Sequence, residues 1–400
     1  MAQPMAPLQI SATEHRSRCD RLAEHLAAQG LAGAVLFDRD YILYYTGFAF
    51  IPTERPMAFV LSVSGERLLF VPRLEREHAA SQPAVEHVED YAEYPGDPHP
   101  MEHLRTDLLS LKLHGALGAD EDGYPWQFGY RGPQLSELTG SSVLPLRPFV
   151  EAQMAVKSEA ELRCIRESVR WGALAHRLLQ TYTQVGATET EVSQRASAEA
   201  TWAMLERIGP IYRAQSVFED GPSAGYRGQI GRQAAIPHSL TSNLTFQPGD
   251  VLVTGAGAPV WGYQSELERT MFVGQPGDEA RKMFEHMLAL QDTALQRLRP
   301  GIACSEVDGA VRRYFEDHGL TAYWRHHSGH TIGLRYHEGP FLDSGDATRI
   351  RPGMVFTVEP GLYRAGLGGF RHSDTVVITE DGIEILTDYP RDLESLIVPV

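Results

Sequence analysis

The sequence predicts an α+β protein in two parts: a smaller α/β domain over residues 1–150 and a larger domain over 151–400 with an antiparallel sheet. Three observations predict it. The chain has 400 residues, long for one small domain and short for three. Short helix-like and strand-like segments alternate up to about Phe149. Beyond that point helices and strand-like runs are partly segregated along the chain, as α+β domains require.

The elements follow in order. Thr13 to Gln29 reads as a helix. Leu31–Phe37, Ala58–Val63 and Arg67–Val71 read as strands, the last two joined by a Ser-Gly-Glu turn. A helix is expected over Met101–Lys112 and a short strand near Val143–Leu146. From Ser158 to about Gln184, Leu162, Ile165, Val169 and Ala173 recur at three- and four-residue steps, which places them on one helix face. The next helix starts at Thr188, whose spacing to Glu191 is that of a capping box, and runs to about Ile208. Helices are also expected over Asp278–Leu298 and Ser305–His318. Strands are expected over Asp250–Ala258, Gly262–Val273, Gly353–Glu359 and Phe370–Ile378, with Asp381-Gly382 turning the chain into Ile383–Leu386. No short-period repeat or low-complexity segment interrupts the pattern.

Composition narrows the function classes. Hydrophobic residues make up 42% and charged residues 22%, which excludes a disordered or fibrous chain. The net charge of −16 repels phosphate backbones, so nucleic acid is not an expected partner. No apolar run reaches the roughly 18 residues of a membrane span, and the N-terminus lacks the basic and apolar blocks of a secretory signal. Cys19, Cys164 and Cys304 are too few and too scattered for a disulfide framework or a zinc motif, so a reducing, cytoplasmic setting is expected.

Four places carry titratable groups in suggestive patterns. Glu266 and Glu268, in Gly-Tyr-Gln-Ser-Glu-Leu-Glu-Arg-Thr, fall on the same face of a strand. A solvated strand face explains the pair as readily as a cation, a cationic substrate or a proton held between them. His326, His327, His330 and His337 cluster in a glycine-punctuated stretch too irregular for a helix, which favours a site. Glu359 ends a strand that Pro360 and Gly361 terminate, and a turn residue facing water explains it alone. His238, in Ile-Pro-His-Ser, stands alone in a loop, where a surface histidine is the simpler explanation.

Together these pieces resemble the pita-bread family of aminopeptidase P, prolidase, methionine aminopeptidase and creatinase. The stretches Gly-His-Thr-Ile-Gly-Leu-Arg-Tyr-His-Glu (329–338) and Gly-Met-Val-Phe-Thr-Val-Glu-Pro-Gly (353–361), with the spaced Leu-Glu-Arg-Thr, carry the resemblance over essentially the whole chain. It implies a C-terminal pita-bread catalytic domain preceded by a smaller domain like the creatinase N-terminal domain. Peptidase members hold two metal ions with two Asp, one His and two Glu. The corresponding positions here are Gly255, Glu266, His330, Glu359 and Ser373. Gly255 offers no side chain and Ser373 only a neutral hydroxyl, so a dinuclear site is not expected. A single ion on Glu266, His330 and Glu359 (Mn, Zn or Fe) remains open.

The resemblance also implies substrate-handling roles for His238, His326 and His337, all of which are present, and for Arg371. Creatinase, which lacks the metal set, gives a pattern in which His238 is the base, while Glu268 and Glu359 bind a cationic substrate group. Arg55 is then lent to the partner subunit of a homodimer, and Gln264 replaces an aromatic hydroxyl. Ectoine hydrolase is a second such relative. The expectation is therefore a metal-independent hydrolase of a C–N bond in a small zwitterionic substrate. It uses no cofactor, with His238, Glu268, Glu359 and His337 as catalytic groups and His326, His330, Arg371, Arg55 and Glu266 on the substrate. Two readings compete with it: a single-metal Xaa-Pro dipeptidase or aminopeptidase, and a non-catalytic binding protein on the same fold.

Overall fold

The computed structural model describes residues 7–400. Residues 1–6, which enter the reading of the N-terminus as free of a secretory signal, lie outside the described residues. The chain divides into two compact units, Ile10–Met154 and Ala155–Val400, the latter joined by residues 7–9. No helix among the described residues is long and apolar enough to cross a membrane.

The N-terminal unit is built on a six-stranded mixed sheet. Its strands are β1 (Gly33–Leu36), β2 (Ala58–Ser62), β3 (Arg67–Pro72), β4 (His87–Tyr91), β5 (Leu117–Ala119) and β6 (Val143–Pro145), in the order β4-β3-β2-β1-β5-β6. β1, β2 and β3 pair antiparallel, whereas β3–β4, β1–β5 and β5–β6 are parallel. Val35, Val60 and Phe70 from the sheet pack with Met101, Leu104 and Leu108 of the helix Pro100–Ser110. β4 and β5 are absent from the sequence reading. β4 is a polar edge strand, His-Val-Glu-Asp-Tyr, and β5 is three residues long.

The C-terminal unit opens with a helix, Glu159–Tyr182, capped by Ser158, whose side chain accepts from Glu161 N. Leu162, Ile165, Val169 and Ala173 are all buried, as their spacing requires. Thr188 caps the next helix, Glu189–Ile208, in the same way. The first helix lies very close to a strand, β9 (Gly255–Gly257): a Cβ on Gly172 would stand 2.9 Å from Gly257 Cα, so only glycine permits this approach.

A five-stranded antiparallel sheet carries most of the motif residues. It comprises β11 (His330–Thr331), β12 (Glu338–Phe341), β13 (Val355–Val358), β16 (Asp374–Ile378) and β17 (Ile383–Ile385), in the order β12-β11-β13-β16-β17. The helices Asp278–Arg297 and Cys304–Asp317 contribute Met287, Leu290, Val307 and Val311 to the same core as Phe356 and Val376. The expected strand Gly262–Val273 is regular only over β10 (Thr270–Val273). Upstream of it the chain makes isolated bridges, Ala256 to Leu267 and Glu268 to Ser373, and the expected strand through Phe370 to Ile378 is broken at His372-Ser373. These irregularities let carboxylates from several segments turn toward one place.

A buried ion pair braces the histidine stretch from below. Lys157 Nζ lies 2.9 Å from Glu338 Oε2, with side-chain exposures of 1% and 6%. Glu338 also accepts from Arg335 N at 3.1 Å, so the pair fixes the turn that presents His337. Lys157→Met should lower the unfolding free energy by about 3–5 kcal/mol, because it strands a buried carboxylate. Adding Glu338→Gln should recover much of that loss, and denaturant unfolding of both variants checks it.

Candidate active site

The irregular stretch after β9 delivers Glu266, β11 delivers His330, and the residue following β13 is Glu359. Because β11 pairs with β13 (Thr331 opposite Phe356), the last two are neighbours across the sheet. One oxygen from each glutamate and one imidazole nitrogen lie within 4.8 Å of one another.

The hydrogen bonds fix the state of the imidazole. His330 Nδ1 lies 3.0 Å from the Thr331 carbonyl, which can only accept, so Nδ1 carries the proton. Nε2 then faces inward. It is 3.0 Å from Glu359 Oε1 yet has no well-directed hydrogen-bond partner, although it is buried. Burial lowers the His330 pKa, but the adjacent Glu359 and Glu266 carboxylates outweigh it and raise it to about 9. Burial pushes Glu266 up to about 8, with Glu359 and Glu268 adding to the rise. Burial acts the same way on Glu359, yet His330 and Arg371 hold it below the usual carboxylate range. Ser373 Oγ donates to Glu266 Oε1 at 2.7 Å, and Thr357 Oγ1 donates to Glu359 Oε1 at 3.2 Å.

Glu268 is arranged differently. Its carboxylate is gripped by Arg371 through Nε and through Nη2 at 2.7 Å, and by Arg227 Nη2 at 2.5 Å. Arg371 Nη1 donates to the Tyr363 hydroxyl at 2.9 Å. That hydroxyl therefore gives its own proton to His326 Nε2, 2.8 Å away, while His326 Nδ1 donates to the His327 carbonyl at 2.8 Å. The sequence reading turns Glu268, Arg371 and His326 toward substrate; in the structure all three are engaged by partners within the protein. Glu268 already has two counter-ions, Arg371 is buried, and both nitrogens of His326 are used within the protein.

A cavity of about 500 Å³ opens onto this cluster, bounded by Glu266, Glu268, His337, Arg227, Tyr336 and Glu219. His337 stacks on His330 with ring centroids 3.9 Å apart. Burial, then the charge of His330, lowers its pKa to about 4, so it is neutral at pH 7. His238 is exposed on a turn, with no hydrogen bond to orient it among the described residues. Gln264 is buried, and its Oε1 lacks a partner. Arg55 belongs to the N-terminal unit, where it pairs with Glu54 and Glu93 at 2.6 and 2.7 Å. A larger cavity of about 770 Å³ in that unit, lined by Asp120, Trp126 and Arg147, holds none of the candidate residues. The sequence reading misses Tyr363 and Arg227. The signal for Tyr363 was its place two residues after Gly361, where it faces the same way as the residue ending the motif; Arg227 lies outside every motif.

Comparison with known proteins adds the family context. Residues 163–380 match the metallopeptidase family M24, and residues 18–153 match the creatinase/prolidase N-terminal domain. An Xaa-Pro dipeptidase of Pyrococcus horikoshii is 28% identical over 367 residues, covering 90% of this chain and 94% of that one. The probable dipeptidase PepE of Mycobacterium tuberculosis is 28% identical over 402 residues, covering 99% and 100%. The crystal structure of dipeptidase PepE from Mycobacterium ulcerans superposes with a TM-score of 0.82 at 26% identity, covering 98% and 100%. These findings correct two expectations. A metal-independent, creatinase-like hydrolase with His238 as base is overturned by relatives named as dipeptidases. The expectation of no cofactor is overturned by a family of metallopeptidases.

The residues present fit one ion. Two carboxylates and a buried imidazole nitrogen without a partner form a three-donor face of the kind that divalent transition metals accept. They do not extend to a second. Gly255 offers no side-chain donor, and the position of its missing Cβ lies at ordinary contact distance from the Arg227–Glu268 ion pair, 3.5 Å from Arg227 Nη2 and 3.6 Å from Glu268 Oε1. The hydroxyl of Ser373 is spent on Glu266. Behind the donors, Tyr363→Phe should leave Arg371 and His326 each short of a buried partner and cost about 1–3 kcal/mol of stability, measurable by chemical denaturation.

Proposed function

We propose a function from one premise, that this chain belongs to metallopeptidase family M24: it cleaves dipeptides as an Xaa-Pro dipeptidase, using a single divalent ion held by Glu266, His330 and Glu359. The chain is a hydrolase of C–N bonds. The observation that carries the single-ion reading is the buried Nε2 of His330, which faces two carboxylates, 3.0 Å from Glu359 Oε1, without a well-directed hydrogen bond. Such a nitrogen holds either a proton or a metal.

When bound, the ion supplies a Lewis acid for the scissile carbonyl and lowers the pKa of a bound water. The chain's own groups do the rest. The Thr331 carbonyl holds the Nδ1 proton of His330 and so keeps Nε2 turned inward. The Ser373 hydroxyl orients Glu266, the Thr357 hydroxyl orients Glu359, and Thr375 Oγ1 accepts from Glu266 N at 2.9 Å. His337, neutral and on the cavity wall, offers one ring N–H to a substrate oxygen and one lone pair to a substrate proton. The 500 Å³ of the cavity suits a dipeptide-sized ligand.

Titration of the chelator-stripped protein with Mn²⁺ should give about one ion per chain. Glu266→Ala, His330→Ala and Glu359→Ala should each weaken that binding by more than about tenfold, since even outer-shell partners of a ligand carry that much. Cleavage of an Xaa-Pro dipeptide should vanish on stripping and return with the ion. Undiminished cleavage by the stripped protein would sink the proposal.

A further inference from the structure

We propose that Arg227 is the substrate-carboxylate receptor of the cavity, so that the enzyme selects peptides whose carboxylate lies next to the scissile bond. The inference rests on the dipeptidase reading and names the group that gives it dipeptide specificity. Its starting point is a backbone anomaly. Arg227 has φ 51 and Gly228 φ 74, and Gln229 N donates to the Tyr226 carbonyl at 2.8 Å. Positive φ at both central residues is the pattern of a type I′ turn, whose sites favour Gly, Asn and Asp. A long side chain there carries strain that glycine would relieve, and such strain gathers at functional sites.

The surroundings show what the side chain does. The Arg227 side chain is 50% exposed and lines the cavity. Its Nη2 is tied to Glu268 Oε1, yet Glu268 is already neutralised by two contacts from buried Arg371. Structural charge balance therefore leaves Arg227 as a surplus cation. With a divalent ion on Glu266 and Glu359, the three-carboxylate cluster still carries the positive charge of Arg227, and Glu219 is the one other carboxylate among the described residues lining the cavity. Among the described residues that line this cavity, no other lysine or arginine is present. Gly255 completes the arrangement: its missing Cβ leaves the guanidinium in contact with the strand, 3.5 Å from where that atom would be. Anchored on one side by Glu268, the guanidinium keeps N–H groups free for a planar, charge-assisted grip on a carboxylate.

The test is isothermal titration of the Mn²⁺-loaded protein with L-proline and with L-prolinamide, which lacks the carboxylate. Arg227→Gln should weaken proline binding by about ten- to a hundredfold and leave prolinamide binding unchanged. Arg227→Gly, which removes charge and backbone strain together, should lose proline binding equally while melting no lower than the parent protein. Equal losses for both ligands, or an unchanged proline affinity, would overturn the inference and leave the dipeptidase reading standing. A parent protein that binds Mn²⁺ but not proline would overturn both.

Discussion

Three carboxylates in one buried place set the terms for everything around them. Glu266, Glu268 and Glu359 repel one another in a medium that screens poorly, and each must meet a cation or take a proton. Glu268 meets Arg371 across the bridge that joins it to Ser373. The next residue along, Arg269, meets Asp374 at 2.7 Å, both fully buried. Charges of opposite sign thus face each other in alternation across the two strands, and the remaining pair of glutamates is left with His330. Removing any one member would leave a buried charge with one counter-ion fewer.

Much of the fold was legible because its signals are local. The helix Glu159–Tyr182 shows its buried face at three- and four-residue steps and its start in Ser158 and Glu161. The hairpin between β16 and β17 shows itself in Asp381-Gly382. The strands that went unread have no such signal. His87–Tyr91 is polar because it is an edge, and Leu117–Ala119 is too short to establish a period. The break in Gly262–Val273 is the opposite failure: alternation suggests a strand, while the demand to aim Glu266 and Glu268 at different partners bends it out of one.

The candidate site was legible as a set of residues and less so as a set of roles. Glu266, His330 and Glu359 stand in spaced motifs, and the structure gathers them. His326 and Arg371 stand in the same motifs, but they turn into the protein to meet Tyr363 and Glu268. Motif spacing records that a residue belongs to the neighbourhood; it does not say which way the side chain faces. Counting absent ligands also misleads about chemistry. On the single-ion proposal, two fewer acidic groups subtract one ion from a pair, while three donors suffice to hold the other.

The bare backbone of β9 at Gly255 has an evolutionary corollary. A carboxylate introduced there would start within contact distance of Arg227 and compete with Glu268 for its guanidinium. A single substitution to aspartate would therefore gain a metal ligand only if the new side chain turned away from the guanidinium. Contact between that missing side chain and Arg227 thus ties the ligand count of the site to the placement of one arginine on its wall.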